Sequence, residues 1–170
     1  IIVRYRSPNQ VTGTQTYIWA ANSKVSDTKV RVVAASDQVY GERSNEIDSS
    51  FDEDLASIEA KIRAQQYTKY FFQKSKSLAQ LVEDEFSRVG RKSWGVMQRN
   101  EKGIWVLQAT AMPSILVETG FISDLEEEKY LHSEQGQDEI ARCIVNAIKA
   151  YKGQLEANQK HAIANQNTGK

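Results

Sequence analysis

At 170 residues, with 22 Lys and Arg set against 22 Asp and Glu, the chain is formally neutral and long enough for one domain with a single core. That balance, mixed locally as in DEDLASIEAKIR, gives no support to a nucleic-acid binder, and no apolar run reaches membrane-spanning length. The single cysteine, Cys143, excludes an internal disulfide and any CxxC motif, and among Ile140, Ile144 and Val145 it reads as a small buried hydrophobe.

Ile1 to Tyr5 and Thr14 to Trp19 are β-branched and aromatic, with SPNQVTG between them, and read as two strands joined by turn chemistry. Polar text follows, broken by the patch VRVVAA at Val30 to Ala35, which fits helix or strand. Glu42 to Asp54 reads as an exposed loop. From Leu55 to Val89 the apolar residues recur three and four apart, as in Leu55, Ile58 and Ile62 and again in Leu78, Leu81, Val82, Phe86 and Val89. That spacing predicts amphipathic helix, as two helices or one bent one, with Gly90 as the stop and Arg88 suiting the dipole of the last turn.

Gly95 to Gln98 and Ile104 to Leu107 are candidate short strands, and Ser114 to Glu118 reads as a central, buried strand followed by a glycine-containing turn. Ser123 and Asp124 offer N-caps for LEEEKYL, whose early glutamates suit a helix start. A last helix is predicted over Gln137 to Lys152, with Ile140, Ile144, Ile148 and Tyr151 as its core stripe and Gly153 as its end. Residues 1–153 then form the domain and 154–170 a frayed polar tail. Strands alternating with helices indicate an α/β domain.

Glu118 is the residue that calls for explanation. Three apolar residues, Ile115, Leu116 and Val117, lead into it, and an ionised carboxylate in a low-dielectric interior costs several kcal/mol, of order 3 or more, without a partner. The surrounding text, VLQATAMPSILVETGFISDLEEEKYL, resembles the signature of the zinc-dependent N-acetylmuramoyl-L-alanine amidases, the amidase type 3 family. Met112, Pro113, Ser114, Val117, Glu118, Gly120, Phe121, Ile122 and Ser123 match that signature, and Asp124 stands where asparagine is usual. GVMQRN at Gly95 and VTGTQTYIW at Val11 are similar to the family's GVKQ turn and GTETY strand, so the likeness covers roughly residues 1 to 152.

The resemblance implies a mostly parallel twisted sheet flanked by helices, of phosphorylase/hydrolase-like architecture, with its N-terminal strands upstream of Ile1. It implies a peptidoglycan hydrolase of the cell envelope, periplasmic or secreted, that cleaves the amide between N-acetylmuramic acid and the L-alanine of the stem peptide. Zn2+ would be the cofactor and Glu118 the general base, then acid, taking the proton of a metal-bound water. The family's ligands are two histidines and a glutamate. The alignment places Arg4 over the second histidine, and a guanidinium has no lone pair to give a metal. His132 and His161 match no ligand position and read as surface residues, so no metal ligand is assigned within this chain. Two expectations stand side by side: an amidase whose ligands lie upstream, or an inactive relative that binds peptidoglycan or a partner without metal. No activator protein is identified.

Other candidates have plain alternatives. Trp19, Trp94 and Trp105 could stack on substrate but fit a core or its rim. Arg91, Lys92 and Arg99 could meet a stem-peptide carboxylate or be scattered surface cations. Asp52 to Asp54 lacks the spacing of an EF-hand calcium loop, and Gln108 stands where the family carries other cleft residues.

Overall fold

Both N-terminal segments rich in β-branched residues do become strands. In the computed structural model, which describes residues 2–4, 11–19, 28–36 and 53–167, β1 is Ile2–Arg4 and β2 is Thr14–Ile18. Residues 28–36 are helical (α1), so the patch at Val30 to Ala35 is helix. Helix α2, Glu53–Arg88, is followed by β3, Ser93–Gln98, and the short α3, Trp105–Gln108. Strand β4, Leu116–Phe121, leads into α4, Leu125–His132, and α5, Glu134–Asn167.

The strands form one sheet in the order β1-β4-β2-β3. β1 lies parallel to β4 with Ile2 opposite Glu118, and an irregularity follows before Val3 meets Gly120. The architecture is therefore α/β as expected, with β4 an interior strand. Glu118 is not at its tip. The strand starts at Leu116 and runs through Gly120 to Phe121, so the predicted glycine turn after Glu118 is strand instead.

The chain divides into two compact units, one made of Ile1–Thr16, Ser77–Val96 and Val117–Lys170, the other of Tyr17–Lys76 and Met97–Leu116. In the first, the buried apolar side chains are Ala79, Val82, Phe86, Val117, Phe121, Ile140, Cys143 and Ala147. In the second, Tyr17, Trp19 and Leu107 form a cluster bordered by Phe72, Met97, Ile104 and Leu116. There Trp19 meets Phe72 edge-on, with ring centroids 5.3 Å apart, a geometry that aromatic quadrupoles favour.

Several expectations change. Of the two helices or one bent helix expected, residues 53–88 form one continuous helix, and no Gly or Pro interrupts the run. It ends as Gly90 predicts: Gly90 has φ 82°, its N–H donates to the Ser87 carbonyl, and the Arg91 N–H donates to the Phe86 carbonyl, both at 3.0 Å. These two bonds close the helix in a Schellman motif. The expected loop at Glu42 to Asp54 lies outside the described residues up to 52, and Glu53 and Asp54 open α2.

Ile104 to Leu107 is not a strand. Its residues turn into α3, burying Leu107 and Gln108 while Trp105 and Val106 stay exposed, and a run of four apolar residues has no period that separates the two states. Helix α5 does not stop at Gly153 but continues to Asn167. Its buried stripe is Ile140, Cys143 and Ala147, and Ile148 is exposed.

Candidate active site

Alternation along β2 sends neighbouring side chains to opposite faces of the sheet, and each face meets a buried carboxylate. Thr14 and Thr16 point to one side, where their hydroxyls donate to Glu83 of α2 at 3.0 and 2.6 Å. Ser93 of β3 donates a third hydroxyl to Glu83 at 2.5 Å. Between the two threonines, Gln15 points the other way, and its side-chain amide donates to Oε2 of Glu118 on the adjacent strand β4. All five of Thr14, Gln15, Thr16, Glu83 and Glu118 are buried, with Glu118 only 2% exposed.

β4 carries Glu118 in a frame that is fixed at both ends. Ahead of it, the Ser114 N–H donates to Ser75 at 2.9 Å. Beyond it, the Arg91 guanidinium donates to the Thr119 carbonyl at 2.7 Å, pairs with Glu127 at 3.2 Å and lies 4.4 Å over the Tyr130 ring. Glu127 also accepts the Phe121 N–H at 3.1 Å. The turn after β4 is set by Asp124, whose side chain accepts from Glu126 and Glu127 N–H at 3.0 Å as the N-cap of α4. Burial first, then the hydrogen bond to Glu139, pushes the Tyr130 phenol up to about 12, so it stays protonated. A cavity of about 440 Å³ opens beside this group, lined by Thr12, Lys92, Asp124, Glu126 and Glu139 among others.

The remaining candidates fall on either side. Arg91 is built into the structure, whereas Arg99 is exposed. The Lys92 ammonium sits 4.3 Å over the Trp94 ring, and Trp94 donates its N–H to the Thr12 carbonyl at 2.8 Å. Trp19 is core, and Trp105 is exposed on α3. Gln108 is buried. His132 and His161 are both exposed. Cys143 is buried, and burial raises its thiol pKa, which agrees with an inert packing role. Gln15, Glu83 and Lys29 were not among the expected residues; only the alternation of β2, which sets Gln15 apart from its threonine neighbours, carried any signal of them.

A family profile described as N-acetylmuramoyl-L-alanine amidase matches residues 5–150. N-acetylmuramoyl-L-alanine amidase AmiC of Escherichia coli is 50% identical over 54 residues, which are 32% of this chain and 13% of that protein. AmiC of Neisseria meningitidis is 39% identical over 77 residues, 45% of this chain and 18% of that protein, so both matches span a small part of the relative. Among solved structures, an N-acetylmuramoyl-L-alanine amidase from Clostridium difficile 630 superimposes with a TM-score of 0.54 at 21% identity, covering 89% of this chain and 54% of its own. The CwlD amidase of Clostridioides difficile, solved in complex with the GerS lipoprotein, gives 0.54 at 20% identity, covering 89% and 51%. At these identities the structural likeness is one of fold.

Proposed function

Because the chain belongs to the N-acetylmuramoyl-L-alanine amidase family, we propose that the protein is a peptidoglycan hydrolase of the bacterial cell wall that cuts the amide between N-acetylmuramic acid and the L-alanine of the stem peptide. Glu118 is its general base and then its general acid. The observation that carries this role is the enclosure of the Glu118 carboxylate on an interior strand, where it accepts a hydrogen bond from the Gln15 side-chain amide.

The chemistry asks little more of that group. The carboxylate takes a proton from the water that attacks the scissile carbonyl, then hands it to the amide nitrogen as the C–N bond breaks. The products are the lactyl carboxylic acid and the free amine of L-alanine, and Glu118 returns to its starting state. Such a substrate would put the protein in the cell envelope, periplasmic or secreted. No helix among the described residues is long and apolar enough to cross a membrane.

Zinc dependence belongs to the same proposal on the family resemblance alone. The described residues do not fit the ion: no three of their His, Cys, Asp and Glu side chains converge. Its ligands would have to be other residues, and no step above runs through a metal.

The test follows newly exposed L-alanine amino groups when the full-length protein is incubated with isolated sacculi. Wild type releases them, and Glu118→Gln, equal in shape but unable to accept the proton, releases them at least about 100-fold more slowly with its fold intact. Undiminished turnover by the variant would remove Glu118 from this role. Sedimentation of wild type with sacculi and no release would support the inactive, peptidoglycan-binding reading instead.

A further inference from the structure

We propose that Gln15 is a positioning residue for Glu118, its side-chain amide fixing the orientation in which the carboxylate takes the proton from the attacking water. The inference rests on the amidase reading above and deepens it. The bond runs from the amide nitrogen, because an ionised carboxylate has only acceptors to offer. Gln15 is 6% and Glu118 2% exposed, so neither group exchanges this partner for water, and breaking the bond would strand a buried donor.

The strand that carries Gln15 has no freedom to turn it away. Thr14 and Thr16 on either side are tied to Glu83 on the opposite face of the sheet, and the Thr14 N–H donates to the Lys92 carbonyl at 2.8 Å. A slip of one residue would exchange the two faces and break all three contacts at once. Of the staggered rotamers open to a glutamate, the one that meets this fixed amide is thereby selected.

The chemistry of the donor matters as much as its place. A lysine or arginine here would hold the carboxylate in a charge-assisted bond, whereas the amide of Gln15 meets it as a neutral donor that sets its direction. Gln15 acts through Glu118, so its loss should appear in the chemical step and leave substrate affinity alone.

Gln15→Met keeps the volume and removes the donor. In the full-length protein acting on soluble muropeptides, we expect kcat to fall about 10-fold or more with KM changed less than about 2-fold. A simple packing role would not split kcat from KM in this way. Glu118→Gln is measured alongside. If it is inactive while Gln15→Met retains wild-type kcat, the positioning role falls and the amidase reading stands; if Glu118→Gln is fully active, both fall. Should Gln15→Met lose its circular dichroism spectrum, Gln15→Asn, whose shorter amide falls out of reach, carries the same expectation and the same overturning result.

Discussion

The Lys29 ammonium donates to the Leu107 carbonyl at 2.8 Å, tying α1 to the segment that leads into β4. It also reaches Thr110 at 3.0 Å and the Met112 carbonyl at 3.4 Å, and it is fully buried, with no carboxylate among these partners. Burial lowers its pKa from 10.5 to about 8. Between those values the unfolded chain holds the proton and the folded chain has lost it, so stability rises with pH across the window and is flat in this respect below it. Urea midpoints taken at intervals from pH 7 to 10 should show wild type gaining on Lys29→Met, by at most about 1.4 kcal/mol per pH unit. A constant difference between the two proteins would mean that Lys29 titrates as an exposed lysine does.

Glu83 is a different kind of buried charge, satisfied by hydroxyls from three residues rather than by a cation. Glu83→Leu would leave Thr14, Thr16 and Ser93 without their acceptor in a closed space, and we expect a loss of about 3 kcal/mol or more in urea unfolding. Glu83→Gln should cost less, about 1 kcal/mol, because a carbonyl oxygen remains and a hydroxyl can rotate to accept from the new amide. Equal losses in both variants would point to packing rather than to the hydrogen bonds.

Local signals in the chain account for what could be read from it. Gly90 followed an apolar repeat and closed α2, and Asp124 preceded a run of glutamates and capped α4. Glu118 stood out as an acid inside an apolar run that carries the family signature. What escaped was of two kinds. Ile104 to Leu107 and Gly153 are places where the local preference is weak, about 1 kcal/mol for a helical glycine, so neighbouring residues decide. Gln15 and Glu83 owe their roles to strand order and helix docking, with partners 103 and 69 residues away, and no spacing in a single chain reports that.

Arg91 belongs to the same non-local class. A cation beside the family signature invites a role in binding substrate, yet its side chain is only 9% exposed and is committed to Glu127, Thr119 and Tyr130. Removing one member of a buried pair strands the other, so Arg91→Met should cost about 3 kcal/mol in thermal or urea unfolding. Arg91→Lys should recover little, since a point charge can neither stack on the phenol ring nor reach the carbonyl and the carboxylate together. An Arg91→Lys protein as stable as wild type would show that charge alone suffices here.

Two glycines separate helix from turn by opposite outcomes. A Cβ built at Gly153 meets nothing within 4 Å, and the residue lies inside α5 with Lys152 and Glu156 paired across the next turn at 3.7 Å. Gly153→Ala should therefore raise stability by about 0.5–1 kcal/mol and increase the helical circular dichroism signal, because alanine loses less backbone entropy. At Gly13, φ is 109° and an added Cβ would stand 2.1 Å from the Lys92 carbonyl oxygen, so Gly13→Ala should lose more than about 2 kcal/mol. The clash falls on backbone at the β2–β3 contact, where Thr14 bonds to the same carbonyl, and cannot be relieved by rotating a side chain. A destabilised Gly153→Ala protein with no gain in helix signal would mean that α5 ends where the glycine first suggested.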